Sequence, residues 1–294
     1  MLQVPFLQVG DVSIHYRSEG RGVPILCVHP PCATSRLFTY VKSELWDRRR
    51  ILTMDVRGHG RSESGEAKLS LPLLAEDMRR VLDQCDISSA YVCGYGPGAM
   101  AALAALIAYP TRFRGGILLS GSAAYHDIIS RGKLKAALYA SRLGAKRPIA
   151  WASAWREADN RTAFDGMLDD AGSADAKRWR DYASACLEAN FERQLHAIQQ
   201  PVLLLYGTKD QIGHHYANAM FRLLPNAELY GVKDADRQLL MKASRQVGVV
   251  MRQWVDKHEN GSLTDTLQER DALMQELAAN GIVGGQDGES WPSL

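Results

Sequence analysis

The sequence predicts an α/β fold built on a mostly parallel sheet. Short apolar runs typical of strands buried on both faces alternate with segments whose apolar residues recur at helical spacing, such as residues 73–85. This alternation favours parallel strands joined by right-handed helical crossovers. The predicted strands are residues 12–17, 24–29, 51–55, 90–93, 116–120, 202–206 and, more weakly, 228–232.

Composition excludes several classes of function. The chain has 294 residues, of which 46% are hydrophobic and 23% charged, as in ordinary globular proteins. A net charge of +2 gives no global attraction to nucleic acid. The longest apolar stretch, near residues 99–109, is too short to span a bilayer, and the first ten residues lack a signal-peptide pattern. We therefore expect neither a nucleic-acid partner nor a transmembrane segment.

The cysteines indicate a reducing compartment. Their number is odd, five, and their positions show no metal-ligand spacing. We expect a cytoplasmic protein with free thiols, no metal and no cofactor.

The most informative segment is residues 94–98, GYGPG. A predicted strand runs into it and a helix of small residues, 99–108, runs out. This is the setting of the nucleophile elbow Gly-x-Ser-x-Gly, but Gly96 stands at the position of the serine.

Several segments together resemble the α/β-hydrolase superfamily. They are residues 28–31 (VHPP), 55–62 (DVRGHGRS), 109–115 (YPTRFRG), 205–210 (LYGTKD) and 224–227 (LPNA). The resemblance covers about residues 10–258 and implies an α/β-hydrolase fold: a mostly parallel eight-stranded sheet with helices on both faces and a helical cap insertion. We expect a core of residues 1–122 and 197–258, a helical cap at 123–196, and a tail at 259–294. The tail is expected to hold a polar helix at 263–279 and flexible chain from 281 onward.

The resemblance also assigns catalytic positions, and most of them carry the wrong residue. Gly96 has no hydroxyl to attack a substrate. Pro97 and Pro31 stand where the family has two oxyanion-hole N–H donors, and proline has no N–H. Arg237 stands near the place of the triad histidine, and no histidine lies between His215 and His258. A misalignment of a few residues at this weak last strand is the ordinary alternative.

Asp210 matches the triad acid, and a pocket above the elbow is expected to contain it. The predicted floor is Pro31, Cys32, Tyr95, Gly96 and Pro97, with His29, Asp210, His214 and Arg237 nearby. For most of these residues a structural role is the simpler interpretation: Tyr95 as a packed aromatic, His29 as a brace for its loop, and His214 as a helix-start residue facing solvent. Cys32 is the one candidate for a substitute nucleophile.

Two further sequence patterns, a glycine-rich turn and a basic stretch, are typical of other functions. Gly94, Gly96 and Ala99 formally match a dinucleotide-binding glycine turn, but Pro97 removes an amide and the next strand ends without an acidic residue. Residues 130–155 hold basic residues and no acid. Arg131, Lys133, Lys135 and Arg142 are therefore a possible docking face for an acidic protein partner or an anionic lipid surface, although a solvated helix with its apolar side on the core is the simpler interpretation.

Three hypotheses for the function follow. The favoured one is a non-hydrolytic pseudo-hydrolase with a degenerate catalytic triad that binds a small molecule, between core and cap, or a protein. The second is a cofactor-free lyase, cyclase or isomerase using the same pocket. The third is a hydrolase with a substitute nucleophile such as Cys32.

Overall fold

A nine-stranded, mostly parallel sheet forms the centre of the molecule in a computed structural model that describes residues 5–259 and 282–285. The strand order is β1-β2-β4-β3-β5-β6-β7-β8-β9. The strands are β1 (Phe6–Val9), β2 (Val12–Glu19), β3 (Val23–Val28), β4 (Arg49–Met54), β5 (Ala90–Tyr95), β6 (Phe113–Leu119), β7 (Val202–Gly207), β8 (Ala227–Val232) and β9 (Ile282–Gly285).

The inner strands β4, β3, β5, β6, β7 and β8 are parallel, as their apolar runs predict. Only the edges are antiparallel: β1 and β2 form a hairpin that pairs with β4, and β9 pairs with β8. The first eight strands are those of the predicted fold, and β9 is an addition. The expectation of flexible chain from residue 281 onward is therefore wrong for Ile282–Gly285, which pair with the free edge of β8.

Helices cover both faces of the sheet, as expected. They are α1 (Thr39–Leu45), α2 (Leu71–Gln84), α3 (Gly98–Ala108), α4 (Ile128–Arg142), α5 (Lys146–Glu157), α6 (Arg161–Ser173), α7 (Ala176–Glu188), α8 (Gln211–Phe221), α9 (Leu239–Lys242) and α10 (Ser244–Glu259), with 3₁₀ helices at Ser35–Phe38 and Glu192–Ala197. Buried residues of α2, α3 and α8 share one apolar core, and those of α1, α9 and α10 share a second core on the opposite face.

Four consecutive helices, α4 to α7, separate β6 from β7 and are called the cap helices below. They reach the carboxyl ends of the parallel strands: Glu157 of α5 contacts the end of β5, and Tyr182 of α7 donates a hydrogen bond to the His29 carbonyl after β3. Open α/β sheets keep their ligand sites at this edge.

The helix predicted at residues 263–279 lies outside the described residues. Within the described residues, none of the helices combines the length and apolarity needed to cross a bilayer.

Candidate active site

The turn between β5 and α3 has the close packing of a nucleophile elbow. Gly96 at its apex has a φ of +53°, a conformation that glycine adopts without strain. A Cβ on Gly94 would lie 2.6 Å from Cα of Ala99, and a Cβ on Gly98 would lie 2.7 Å from the Val28 carbonyl oxygen. A Cβ on Gly96 would meet nothing within 4 Å. The flanking glycines are therefore required for close approach, whereas the apex has room for a side chain.

The strand order brings two residues singled out in the sequence, Asp210 and Arg237, to the same edge of the sheet as this elbow. Asp210 follows β7 and Arg237 follows β8, at the same edge of the sheet as Gly96. Asp210 is the N-cap of α8, and its Oδ1 accepts a hydrogen bond of 2.9 Å from the Gly213 N–H. Its Oδ2 is buried without a hydrogen-bond partner among the described residues. In a triad acid this oxygen would orient a histidine, and here Arg237 lies in electrostatic range instead.

Arg237 is a half-buried cation, and no carboxylate among the described residues contacts its guanidinium. Its guanidinium makes neither an ion pair nor a hydrogen bond within the part of the chain that the structure describes. Burial opposes its charge, but Tyr125, Asp210, Tyr95 and Glu157 together raise its pKa. Arg237 therefore stays protonated and gives the site a fixed positive charge where a triad would have a titrating base.

Tyr95 joins the elbow to the cap. Its hydroxyl donates its single hydrogen to Oε2 of Glu157 at 2.7 Å, and the Arg237 carbonyl oxygen lies 3.1 Å away as an alternative acceptor. Burial, then the charge and hydrogen bond of Glu157, raise the pKa of Tyr95 well above its usual value. Tyr95 therefore remains a protonated donor at neutral pH. The same Arg237 carbonyl also accepts a hydrogen bond from Ser120 at 3.1 Å.

Glu157 was missed by sequence reasoning. It ends α5 and is only 6% exposed, with Arg156 bonded to its second oxygen at 3.2 Å. The available signal was its position as the first acid after Asp127, at the end of the acid-free basic stretch. That isolation indicates a carboxylate with a specific partner.

Two further polar groups lie at the end of β6. The hydroxyls of Ser122 and Tyr125 are buried and face each other, and neither has a further hydrogen-bond partner in residues 5–259 or 282–285. Burial raises the pKa of Tyr125, and the charge of Arg237 and the contact with Ser122 partly offset this effect. Oδ2 of Asp210 is therefore the unpartnered polar atom in electrostatic range of Arg237, and the two hydroxyls have no partner beyond each other.

The loop after β3 contains the other predicted pocket residues. His29 is fully buried: its Nδ1 contacts the Pro30 carbonyl at 2.9 Å, and its Nε2 accepts from the Val56 N–H at 2.9 Å. This pairing fixes the tautomer and braces the loop. Cys32 has a φ of +62°, and burial raises the pKa of its thiol to about 12. The Cys32 thiol is therefore neutral at physiological pH and a weak nucleophile.

Two expected pocket features differ from the structure. The cavity between this loop and the cap has a volume of only ≈20 Å³, and of the predicted floor it is lined by Cys32 alone, together with cap residues that include Glu157. A water molecule needs about 10–15 Å³ measured in this way, so the space holds about one water. The carboxylate of Glu157, which accepts the hydrogen bond from Tyr95, lies where the pocket was expected. His214 stacks on Tyr206 at 4.8 Å and contacts Asn218, so its contacts are local to α8 and β7.

Among the described residues no group of three or more His, Cys, Asp or Glu side chains is arranged to hold a metal ion.

A parallel sheet with a glycine-flanked elbow after β5 and an acid after β7 defines the α/β-hydrolase class. The chain belongs to this family: the family model described as "alpha/beta hydrolase fold" matches residues 23–243.

Curated relatives include the dihydrolipoyllysine-residue acetyltransferase component of the acetoin cleaving system of Pseudomonas putida, 26% identical over 81% of this chain and 64% of that protein. The 3-oxoadipate enol-lactonase 2 of Acinetobacter baylyi is 25% identical over 70% of this chain and 79% of its own length. A putative carbamate hydrolase of Azorhizobium caulinodans matches over 44% of this chain and 48% of its own length. The chain thus spans 64% of the Pseudomonas protein and 48% of the Azorhizobium protein.

Solved structures of the same fold include an esterase from Exiguobacterium antarcticum, with a TM-score of 0.77 and 17% identity over 85% of this chain and 98% of that one. The enol-lactonase from Burkholderia xenovorans has a TM-score of 0.75 and 17% identity over 85% and 99% of the two chains. These two solved structures are named as an esterase and a lactonase, and at 17% identity the structural likeness establishes the fold alone.

Proposed function

We propose that this protein is a non-hydrolytic member of the α/β-hydrolase family, in which the elbow site binds a polar molecule without cleaving it. The observation that carries the proposal is Gly96: the elbow keeps its close packing, and the apex has neither a hydroxyl nor a thiol. Pro97, the next residue, has no N–H to offer an oxyanion. Arg237 supports the proposal because a permanent cation cannot act as the general base.

The unpartnered groups support ligand binding at this site. Buried polar atoms are nearly always hydrogen-bonded in native proteins, by protein, water or ligand. Oδ2 of Asp210 is an exception in electrostatic range of Arg237, and the facing hydroxyls of Ser122 and Tyr125 have no partner beyond each other among the described residues. A small polar molecule or ordered water would satisfy these groups.

A cofactor-free lyase, cyclase or isomerase is the second candidate, favoured by one observation. Glu157 is a buried carboxylate in contact with a tyrosine hydroxyl and in electrostatic range of Arg237. Such a group is suited to proton transfer when a substrate displaces its partner. Hydrolysis by Cys32 is the least supported candidate, because its thiol is neutral at physiological pH.

A protein-binding role is favoured by the surface of α4 and α5. Among the described residues, large apolar side chains that are exposed concentrate here: Ile128, Ile129, Tyr139, Leu143, Trp151 and Trp155. The same segment carries Arg131, Lys133, Lys135 and Arg142, so an acidic partner with apolar contacts fits it best.

Covalent labelling tests the absence of hydrolysis. The purified protein is treated with a fluorophosphonate and, separately, with a thiol-directed acyl probe, and intact mass is measured together with turnover of p-nitrophenyl esters. We expect no adduct at the elbow and no turnover above a heat-treated sample. Stoichiometric labelling of Cys32 that accompanies ester turnover, and that a Cys32→Ala variant abolishes, would show that the protein is a hydrolase.

A further inference from the structure

A second cleft lies beside β2 and β4, two strands away from β5 and its elbow. Its volume is ≈110 Å³, and its lining is mainly polar and charged. About 10–15 Å³ is enough for one water on this measure. The cleft therefore has room for several waters or for an ion the size of phosphate.

The floor of the cleft follows from strand register. Arg17 of β2 is paired with Thr53 of β4, and the next residues on the same face, His15 and Asp55, also line the cleft. The walls come from distant segments: Arg36 from the 3₁₀ helix, Lys42 from α1, and Arg61 from the loop after β4. Four cations from four segments therefore converge on one concave surface.

Two of these cations already have carboxylate partners. Arg36 is bonded to Asp170 of α6 at 2.6 Å, and Lys42 to Glu19 at 2.8 Å. The side chains of Arg17 and Arg61 have no ion pair or hydrogen bond with any residue that the structure describes.

The remaining acid, Asp55, is fully engaged. Its Oδ1 accepts from the Ser35 N–H at 2.9 Å, and its Oδ2 accepts from Nδ1 of His15 at 2.8 Å and from the Arg61 N–H at 3.1 Å. With these donors in place, Asp55 has little capacity to pair with a further cation. The guanidinium groups of Arg17 and Arg61 are thus left without a hydrogen-bonded carboxylate in this cleft, although the charge of Asp55 lies nearby.

We propose that this cleft binds a tetrahedral oxyanion, a phosphate group either free or carried by a small ester. Each guanidinium presents a planar fork of donors that matches phosphate oxygens. A tetrahedral anion offers oxygens both to the fork of Arg17 on the floor and to the fork of Arg61 on a wall, which a planar carboxylate does less well.

Isothermal titration with inorganic phosphate and with glycerol phosphate, at an ionic strength held constant by sodium chloride, tests this site. We expect saturable binding of at least one of them. Arg17→Ala and Arg61→Ala should each weaken it by about tenfold or more, the effect of losing a charge-assisted hydrogen bond. Arg222→Ala is the matched control, because it removes an exposed arginine of the loop after α8, at the other side of the sheet.

Asp170→Asn provides a gain-of-binding variant. It removes the charge that holds Arg36, so phosphate affinity should rise severalfold, an effect that simple destabilisation would not produce.

Tighter binding of glycerol phosphate would assign the site to a phosphate ester, and tighter binding of inorganic phosphate would assign it to the free ion. Absence of saturable binding of both, or equal binding by wild type, Arg17→Ala and Arg61→Ala, would overturn the proposal.

Discussion

A serine at position 96 has room in this structure, because a Cβ there meets no atom within 4 Å. The cost is conformational: a φ of +53° is disfavoured for any residue with a Cβ, by about 1 kcal/mol. We expect Gly96→Ser to fold with about that loss of unfolding free energy, measured by urea titration. It should hydrolyse no p-nitrophenyl ester, because Arg237 cannot accept the serine proton.

Gly98→Ser is the matched control for stability. Its Cβ would lie 2.7 Å from the Val28 carbonyl oxygen, a backbone atom that cannot move away alone. Overpacking of this kind costs about 1–3 kcal/mol, so Gly98→Ser should be the less stable of the two variants. Ester turnover by Gly96→Ser would mean that a base and an oxyanion hole exist at other residues.

Some residues of the candidate site could be identified from the sequence and others could not. Gly96, Pro97 and Asp210 were identified by their place between a strand and a helix, a local pattern that the structure reproduces. Glu157 and Ser122 could not be found in this way. Their importance depends on which cap residue lies over which strand end, and no local pattern encodes that contact.

At the level of elements, the predicted strands lie within two or three residues of their observed bounds because their apolar runs end at polar turns. The strand β1 and the strand β9 were not predicted. Residues 282–285, IVGG, are two apolar residues followed by two glycines, too short to show a period. Their strand state depends on the exposed edge of β8, which is a tertiary contact.

Removing β9 should expose that edge. A chain lacking residues 282–294 leaves the unpaired N–H and C=O groups of β8 free to pair with a second molecule. We expect a higher apparent mass or aggregation in size-exclusion chromatography with light scattering. A chain lacking only residues 286–294 keeps β9 and should behave as wild type; equal self-association of both truncations would contradict a protective role of this strand.

Across the whole molecule, stability should depend on pH through buried histidines. His59 is fully buried, and its burial, followed by the nearby charge of His29, lowers its pKa from 6.5 to about 3. Burial also lowers the pKa of His29. Between the folded and unfolded pKa values the unfolded chain binds more protons, so stability falls as pH falls below about 6.5.

Urea titrations at pH 8 and pH 5 measure this effect. From the His59 pKa alone, the unfolding free energy should be about 2 kcal/mol lower at pH 5, since one pKa unit corresponds to about 1.4 kcal/mol. His59→Gln should reduce the difference in unfolding free energy between pH 8 and pH 5, and the remaining difference should come from His29. Equal stability of the wild type at the two pH values would show that these imidazoles are not held neutral in the folded protein.

Asp210 has a role that does not depend on chemistry. Its carboxylate accepts the Gly213 N–H and begins α8, and losing such a helix cap typically costs about 1 kcal/mol. Selection for a stable helix would retain this acid even where turnover has been lost. The presence of Asp210 is therefore poor evidence for catalysis in this chain, because its capping role alone accounts for an acid at this position.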